Sequence, residues 1–391
     1  MKLAWSDADE EFRSSLRTFL EEHCPDEARK GKDFMANDDD RVPPWARAWQ
    51  ATLFDHGWMV PSYPAELGGR GATPLQTLIY LEELANQGVV RSVHFGGYAI
   101  VGPSLLEFGN NEQKAMAPAA IRGDTVWCVG MSEPDAGSDL ANLSTRAVED
   151  GDSYVVNGQK VWTSYAPYAD QCFCYVRTTA DPSIAKHKGI SVLIVSMDTP
   201  GVEVRPIKHI TGAEEFAEVF FTDAVVPKTN LVGERDGGWR ITMGSLAHER
   251  GGLWVEGVAG AHRALVGLVA LAQRNNLDRD PIVRRRIAAA YEQVASLRAL
   301  GYKGFASFAQ GSSSPEHSYM KLATSELRKE LFDLGMDLLG PFGAVTEPGW
   351  AEEGGRWWQS EFIALAATIG GGTSEIQRNV VATRVLGLPR S

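Results

Sequence analysis

Three blocks of different hydrophobic periodicity follow one another along the 391 residues of the chain. From Asp7 to about Arg122 apolar residues recur at helical spacing, and from about Trp127 to Asp223 short β-rich runs alternate with turn residues. From Gly237 onward the pattern is helical again. Segregated helices and strands without an internal repeat are typical of an α+β chain whose sheet module lies between two helical parts.

Local signals predict where several elements begin and end. Preferred caps and first-turn prolines predict helix starts in the first block, and turn-forming residues predict breaks in the last block. The predicted starts are Ser6 or Asp7, Pro43-Pro44 and Thr73-Pro74, and the predicted breaks are residues 278–281, 310–315 and 341–355.

Within the β block, the runs 154–156, 172–176, 190–195 and 219–221 predict strands. Asn157-Gly158 is a strong signal for a two-residue hairpin turn after the first run. Cys172 and Cys174 fall on one face of a strand. The four cysteines lack metal-ligand spacing, so we expect buried free thiols and no metal site.

The charge balance argues against several classes of partner. The chain has 50 acidic and 38 basic residues, a formal net charge of -12, so we expect neither a nucleic-acid surface nor an anionic-membrane surface. No apolar run approaches the roughly 18 residues of a membrane span, and the acidic start lacks the pattern of a signal peptide. We therefore expect a cytoplasmic protein.

A loop at the start of the β block, from Met131 to Asp139, combines small residues and the hydroxyls of Ser132 and Ser138 with a turn-forming Pro-Asp-Ala-Gly. Such a loop presents backbone donors suited to the polar edge of a ring or to a phosphate. Composition alone favours the alternative of a plain surface turn.

Trp162 and Ser164 follow Asn157-Gly158 on a predicted strand. Because side chains alternate with a period of two, both are expected to point the same way. A large apolar plate beside a hydroxyl suits a flat heteroaromatic ligand, and a tryptophan that closes the sheet core is an equally supported alternative.

Near the C-terminus, Gly370-Gly371-Gly372 leads directly into a predicted helix that starts Thr373-Ser374-Glu375. Three glycines remove every side chain from the start of that helix, so a flat or anionic group can approach the bare backbone.

These motifs occur in order across nearly the whole chain, and together they resemble the FAD-dependent acyl-CoA dehydrogenase family. The resemblance implies a helical N-terminal domain over residues 1–125, a central β-barrel-like domain over 126–235 and a C-terminal four-helix bundle over 236–391. It also implies FAD between the last two domains, an acyl-CoA substrate and an electron-transfer flavoprotein as electron acceptor. Family members assemble into dimers or tetramers.

The family's functional residues carry over to matching positions of this sequence. The resemblance implies that the cofactor contacts Met131, Ser132, Ser138, Trp162, Ser164, Gly340, Thr373 and Glu375. It implies substrate contacts at Ser138, Arg250, Gly371 and Gly372. Gly340 is the residue retained from a stretch that touches the cofactor of a neighbouring subunit.

The implied reaction is α,β-dehydrogenation of an acyl-CoA thioester to the trans-2-enoyl-CoA, with hydride transfer from the β-carbon to flavin N5. Gly371 stands where many members carry the glutamate that takes the α-proton. Some branches use instead a glutamate directly before an arginine on an early helix of the last block, and Glu249-Arg250 matches that pattern. Glu249 is the expected base, with a pKa raised by burial.

Other interpretations of the carboxylates stay open. Glu256 and Glu361 are rival candidates for the base, and a solvent-exposed Glu-Arg pair is the plain alternative for Glu249 and Arg250.

Two cofactor-contact patterns of the family are incomplete. Residues 337–341 read Asp-Leu-Leu-Gly-Pro in place of a Gln-led Gly-Gly stretch, and residues 276–281 replace an expected Arg and Phe. Either Arg274 or Arg279 substitutes for the missing arginine, or the chain completes only some of the sites in its assembly.

The glycine triplet widens one wall of the expected acyl pocket and favours branched, cyclic or polycyclic acyl groups. This form resembles the actinobacterial branch for bulky or steroid side-chain acyl-CoAs, some members of which are heterotetramers of two related chains. A structural half-site subunit, a carrier-protein-linked acyl dehydrogenase and a flavin oxidase of the same fold are the alternatives. The tryptophans that could line the pocket or the core are Trp239, Trp254, Trp350, Trp357 and Trp358.

Overall fold

The computed structural model describes residues 5–29, 42–92, 95–250, 253–309, 315–347 and 349–389. Within these ranges, the side chains of residues 245–250, 253, 308–309, 315 and 317–318 lie outside the description. The chain forms two compact units, Met1–Glu249 and Arg250–Ser391. The first combines helices with a mixed sheet, and the described part of the second is helical. The expected α+β order is confirmed.

Helices of the first unit begin where the sequence supplies caps. Ser6, Thr73 and Asn110 each form a capping box, in which the cap side chain and the third helical residue exchange hydrogen bonds with each other's backbone. The predicted starts after Ser6, Pro43 and Thr73 are confirmed. The helices are α1 (Asp7–His23), α2 (Asp26–Arg29), α3 (Pro44–Asp55), α4 (Pro74–Gln87), α5 (Gly102–Phe108), α6 (Asn111–Arg122) and α7 (Gly238–Arg250), with a π-helical turn over Gly97–Val101.

One mixed sheet occupies the middle of the chain and contains all four predicted strand runs. Its strands are β1 (Trp127–Gly130), β2 (Arg146–Asp150), β3 (Ser153–Ser164), β4 (Gln171–Arg177), β5 (Ile190–Ser196), β6 (Val202–Ile207), β7 (Phe216–Pro227) and β8 (Leu231–Val232). Their order is β6-β7-β3-β2-β4-β5-β8, and β1 pairs in parallel with β4.

The predicted hairpin turn at Asn157-Gly158 is wrong, because both residues lie inside β3 and the turn lies at residues 151–152. The register between β3 and β7 shifts here, and the Asn157 amide exchanges hydrogen bonds of 2.9 and 3.0 Å with Asp223. A Cβ on Gly158, whose φ is +150°, would stand 2.6 Å from Thr145 Cα. Asn-Gly therefore marks a β-bulge with a close backbone approach.

Strands β4 and β5 are buried on both faces. One face contributes Cys172, Cys174 and Leu193 to a core enclosed by the sheet. The other packs Phe173 and Tyr175 against the core formed with α5 and α6. The prediction of buried free thiols is confirmed for three of the four cysteines, and Cys24 is half-buried and free. Strand β1 pairs with the buried strand β4. The loop that follows β1 therefore begins from a fixed position in the sheet.

The second unit packs its helices around α10, which contacts α8, α9 and α11. The predicted helix breaks at residues 278–281 and 341–355 are confirmed. The third predicted break, 310–315, lies outside the described residues except for Pro315, where α10 begins. The helices are α8 (Leu253–Arg274), α9 (Pro281–Ala309), α10 (Pro315–Leu339), α11 (Arg356–Ala367) and α12 (Ser374–Val380), followed by a π-helical turn over Val381–Val385.

Two tryptophans of this unit are core residues with facing glycines. Trp357 is fully buried, and a Cβ on Gly335 would stand 2.2 Å from its indole. Trp254 is buried against Gly301 in the same way, again with a 2.2 Å approach. Trp358 is half-buried and Trp350 is 84% exposed. Trp254 and Trp357 therefore serve packing.

Among the described residues, one helical segment, Trp254–Arg274, is apolar and long enough to cross a membrane by length and composition alone. Its apolar residues at helical spacing, including Leu265, Leu268 and Leu271, are buried in the protein. Core helices satisfy the same criterion, so the finding is weak support for a membrane span.

Candidate functional site

The loop after β1 is fixed by a buried glutamate. Met131 and Ser132 are half-buried, whereas Glu133 is 5% exposed. Its carboxylate accepts hydrogen bonds from the backbone N–H and hydroxyl of Ser144, at 2.6 and 2.8 Å, and from the backbone N–H of Thr145, at 2.9 Å. Glu133 thus ties the loop to the start of β2.

Lys160 of β3 is the cation that pairs with Glu133. Its side chain is fully buried, and Nζ lies 2.8 Å from Glu133 Oε1 and donates a 3.1 Å hydrogen bond to the carbonyl oxygen of Met131. The next residue, Val161, donates its backbone N–H to the carbonyl oxygen of Ser132 at 3.0 Å. The loop and β3 are therefore joined at two successive residues.

The charge state of Glu133 follows from these contacts. Burial by itself raises the pKa of the carboxyl, but the Lys160 ammonium and the hydrogen bonds from Thr145 and Ser144 outweigh it and lower the pKa to about 2. Glu133 is an ionised structural group at neutral pH and is not suited to act as a proton-abstracting base.

Directly after Lys160, a second β-bulge turns Trp162 outward. The register between β3 and β7 shifts between Lys160 and Thr163, and Trp162 has a φ of +58°. Trp162 is 60% exposed, whereas Thr163 is buried and Ser164 is half-buried. The alternative of a tryptophan that closes the sheet core is wrong, because the bulge moves the indole to the outer face.

An aromatic row extends from Trp162. The indole meets the Phe216 ring edge-on at 6.3 Å between centroids, and Phe216 lies 5.7 Å from the ring of His209. The Nε2 atom of His209 and the hydroxyl of Thr163 are buried polar atoms without a hydrogen-bond partner. Ser138 lies apart from these contacts, as an exposed residue of the turn after Glu133.

This side of the first unit fits a flat heteroaromatic ring. Trp162 offers an exposed apolar plate, and the half-buried Ser164, two residues further along β3, supplies a hydroxyl. The half-buried Ser132 supplies a second hydroxyl, and its carbonyl oxygen is bound by the residue before Trp162, Val161. An isoalloxazine has the matching combination of an apolar face and polar edges. Among the residues the structure describes, no cluster of three or more histidine, cysteine or acidic side chains could hold a metal ion.

The residues predicted as base and neighbour, Glu249 and Arg250, are the last two of α7. Their side chains lie outside the described residues, as do Gly251 and Gly252 altogether. Helical backbone at this position agrees with the early helix expected to carry the base.

In the second unit, the glycine triplet has a backbone that favours glycine. The φ angles of Gly371 and Gly372 are +66° and +94°, in the left-handed region. Lys321 of α10 donates a 2.6 Å hydrogen bond from Nζ to the carbonyl oxygen of Gly372, and Gln377 donates a 3.1 Å hydrogen bond to that of Gly371. The predicted open space is present at Gly371, where an added Cβ would find only Lys321 Cε within 4 Å, at 3.9 Å.

The start of α12 is fixed by its own cap and by α10. Thr373 is the N-cap, and its hydroxyl accepts from the backbone N–H of Ile376 at 3.3 Å. The Ser374 hydroxyl donates a 2.5 Å hydrogen bond to Glu326, and Glu375 is exposed. Thr373, Gly371 and Gly372 therefore form one anchored loop, with Glu375 directed to its surface.

Gly340 lies at the opposite end of α10 from this loop. It follows the last residue of the helix and has a φ of +55°. Nineteen residues separate it from Lys321, which corresponds to about 28 Å of helix. Within one chain Gly340 and the glycine triplet therefore belong to different regions.

Residues in or near the two segments that depart from the family's cofactor-contact patterns, 276–281 and 337–341, make contacts within the second unit. Asp337 accepts a 2.6 Å hydrogen bond from Arg286 of α9, which gives this position a structural role. Arg274 is engaged by Glu352 and Glu353. Arg279 is exposed.

The rival carboxylates differ in their surroundings. Glu361 of α11 is half-buried, and its Oε2 atom is buried without a hydrogen-bond partner. Burial and the nearby Asp333 raise the pKa of Glu361, while Lys329 opposes the shift. Glu256 of α8 is exposed. Glu361 therefore has a pKa shifted in the direction that a base requires.

Sequence reasoning missed Glu133, Lys160 and Lys321. Lys160 shares the strand parity of the buried Tyr154 and Val156, so an inward-facing charge in need of a partner could have been inferred. No local sequence pattern indicates a role for Lys321, because its hydrogen-bond partner Gly372 lies 51 residues away in sequence.

Family models match almost the whole chain. The model for the N-terminal domain of acyl-CoA dehydrogenases matches residues 6–124, that for the middle domain matches residues 128–224, and that for the C-terminal domain matches residues 236–386.

Individual relatives agree with these matches. The chain is 37% identical over 384 residues to the acyl-CoA dehydrogenase IpdE1 of Mycobacterium tuberculosis, covering 97% of this chain and 98% of that protein. Among solved structures, the Tcur3481-Tcur3483 steroid ACAD is 32% identical, with a TM-score of 0.85 and full coverage of both chains. The ChsE4-ChsE5 complex from Mycobacterium tuberculosis is also 32% identical, with a TM-score of 0.83 and full coverage of both.

Proposed function

The chain belongs to the acyl-CoA dehydrogenase family of FAD-dependent flavoproteins, and we propose that it converts an acyl-CoA thioester to the trans-2-enoyl-CoA with Glu249 as the base. The observation that carries this proposal is the backbone of Gly371. Glycine has no side chain that could accept a proton, and the left-handed φ of +66° disfavours glutamate at this position. The base therefore comes from elsewhere in the chain. Glu249, at the end of α7, matches the alternative position of the family.

The chain's own residues have three tasks in this reaction. Glu249 accepts the proton from the carbon next to the thioester, and Arg250 holds the helix end or the substrate. Met131, Ser132, Ser138, Trp162, Ser164, Thr373 and Glu375 are the proposed cofactor contacts, and Gly340 is the proposed contact with the cofactor of a neighbouring subunit. Bound FAD supplies the hydride acceptor, and an electron-transfer flavoprotein reoxidises it.

We further propose that the substrate is a bulky, branched or cyclic acyl-CoA, including steroid side-chain thioesters. The side-chain-free space at Gly371 supports a wide pocket, whereas at Gly372 the Gln377 amide would lie 2.7 Å from an added Cβ. We therefore assign the extra width to Gly371 and keep Gly372 as a proposed backbone contact with the substrate. The similarity to the Tcur3481-Tcur3483 protein, a steroid ACAD, favours the same substrate class.

The experiment is anaerobic titration of the purified protein with acyl-CoAs while the visible flavin band is recorded. We expect a yellow protein that is bleached by a steroid side-chain acyl-CoA and only weakly by a straight-chain one, with the enoyl-CoA as product. The matched control is a 2,2-dimethyl acyl-CoA, which has no α-proton and must not bleach the flavin. A bound flavin that no acyl-CoA bleaches would contradict the function, and a preference for straight chains would contradict the substrate class.

A second candidate is a half-site subunit of a heteromeric dehydrogenase. Two observations favour it. Two of the similar solved structures are of the Tcur3481-Tcur3483 protein and the ChsE4-ChsE5 complex, and the patterns at residues 276–281 and 337–341 depart from the family. Arg274 is paired with Glu352 and Glu353. If the chain is instead a complete enzyme, Arg279 is our proposed substitute for the missing arginine.

Flavin content separates the two candidates. A chain that is colourless alone and gains flavin only when co-expressed with a related chain is a half-site subunit. A homomeric protein with one FAD per chain is a complete enzyme.

A further inference from the structure

We propose that the buried Lys160–Glu133 pair positions the Ser132 backbone N–H as a flavin hydrogen-bond donor and strengthens that donor. The inference rests on the proposed function, since it assigns a task to the flavin-facing loop. It concerns two residues that have no direct contact with ligand in that function.

The pair is buried, and each partner has hydrogen bonds beyond the ion pair itself. Lys160 is 0% exposed and Glu133 is 5% exposed. The Glu133 carboxylate receives three hydrogen bonds from Ser144 and Thr145 in addition to the ammonium. A buried pair that satisfied only itself would contribute little to stability. Here the ammonium has a second acceptor, the Met131 carbonyl oxygen at 3.1 Å.

That second acceptor belongs to the peptide group between Met131 and Ser132. The chain has no cis peptide bond among its described residues, so the C=O of Met131 and the N–H of Ser132 point in opposite directions. Lys160 Nζ holds the C=O from the buried side, and the N–H is therefore directed away from Lys160.

The peptide group on the other side of Ser132 is fixed as well. Its carbonyl oxygen accepts the backbone N–H of Val161 at 3.0 Å. Both peptide groups that flank Ser132 are thus bound by successive residues of β3. The following residue on β3 is Trp162, the exposed plate. One short segment, residues 160–162, fixes the donor and carries the plate.

The charge on Lys160 affects the strength of the donor. A cation bound to a carbonyl oxygen polarises the whole amide, and hydrogen bonds in such a chain strengthen one another in a low-dielectric interior. A strengthened donor binds an electron-rich ring edge more tightly, and it favours the reduced flavin because reduction adds negative charge to the ring. Removal of the Lys160 charge must then weaken FAD binding and lower the flavin midpoint potential.

The test compares Lys160→Met with the parent in the full-length protein. Methionine keeps the apolar stem, and Glu133 retains its hydrogen bonds from Ser144 and Thr145. We expect the FAD dissociation constant to rise about tenfold or more and the midpoint potential to become more negative. The matched control is Lys228→Met, which breaks a 2.9 Å pair with Glu149 in the same unit and must leave both quantities unchanged.

A purely structural role gives a different result. If Lys160→Met lowers the unfolding temperature while FAD affinity and midpoint potential equal those of the parent, the inference is overturned. If the parent itself binds no flavin, the proposed function fails first, so the two failures are distinguishable.

Should Lys160→Met not accumulate as folded protein, Ser144→Ala replaces it. This variant removes one 2.8 Å hydrogen bond to Glu133 and leaves the ion pair in place. We expect shifts of FAD affinity and potential in the same direction and of smaller size. A folded Ser144→Ala protein with unchanged flavin properties would count against the proposal.

Discussion

Lys321 and Gly372 are joined by a 2.6 Å hydrogen bond from the lysine Nζ to the glycine carbonyl oxygen. The bond ties the glycine triplet to α10, and Gln377 fixes the preceding carbonyl. The triplet is therefore an anchored loop with a constrained backbone and with open side-chain space at Gly371. This distinction matters for any attempt to restore a carboxylate at Gly371.

Gly371→Ala should destabilise the protein although there is room for the methyl group. The cost comes from the left-handed φ of +66° and should be about 1 kcal/mol in the free energy of unfolding. The control is Gly260→Ala on α8, where an added Cβ meets only Arg263 at 3.9 Å and a helical backbone favours alanine by about 1 kcal/mol. Chemical denaturation measures both, and a Gly371→Ala variant as stable as Gly260→Ala would refute the backbone argument.

Trp357 provides a packing test with two glycines that face the same indole. A Cβ would stand 2.2 Å from the ring at Gly335 and 3.3 Å at Gly267. Overpacking of this kind costs about 1 to 3 kcal/mol, so Gly335→Ala should lower the unfolding free energy by about 2 kcal/mol or more, and Gly267→Ala by much less. Equal effects of the two substitutions, measured by urea denaturation, would show that the indole moves freely.

Glu133 should make stability depend on pH in the acid range. Its pKa is lowered to about 2 in the folded protein, so its contribution is fully present above the unfolded pKa of about 4.3. That contribution, about 3 kcal/mol, is lost as the pH falls toward 2. The difference in unfolding free energy between the parent and Glu133→Gln should therefore shrink between pH 5 and pH 3. A difference that stays constant from pH 5 to pH 3 would contradict the lowered pKa of Glu133.

Much of the fold could be predicted because its signals are local. Capping residues at Ser6 and Thr73 and the breaks between the long helices depend on a few adjacent residues. Asn157-Gly158 forms a bulge and not the predicted hairpin turn, because β3 continues through it and pairs with β2 on one side and β7 on the other. This long-range pairing is not visible in the local sequence. The outward position of Trp162 also depends on a bulge that strict alternation cannot anticipate.

For the candidate site, the sequence indicates individual residues but not the contacts that hold them in place. Resemblance to the family supplied Met131, Ser132 and Trp162, since their motifs are continuous in sequence. The contacts that hold them depend on long-range partners, such as Lys160 with Glu133 across 27 residues. Such contacts arise from the packing of the loop after β1 against β3 and the start of β2.

The central claim, that Glu249 is the base, is tested most directly by the anaerobic rate of flavin bleaching in a single turnover. Glu249→Gln keeps the shape and removes the proton acceptor, so the rate should fall about 100-fold to 10,000-fold while bound FAD is unchanged. Glu256→Gln and Glu361→Gln, the matched controls, should bleach at a rate close to that of the parent. A Glu249→Gln protein that holds FAD and bleaches at the parent rate would contradict the assignment of Glu249 as the base.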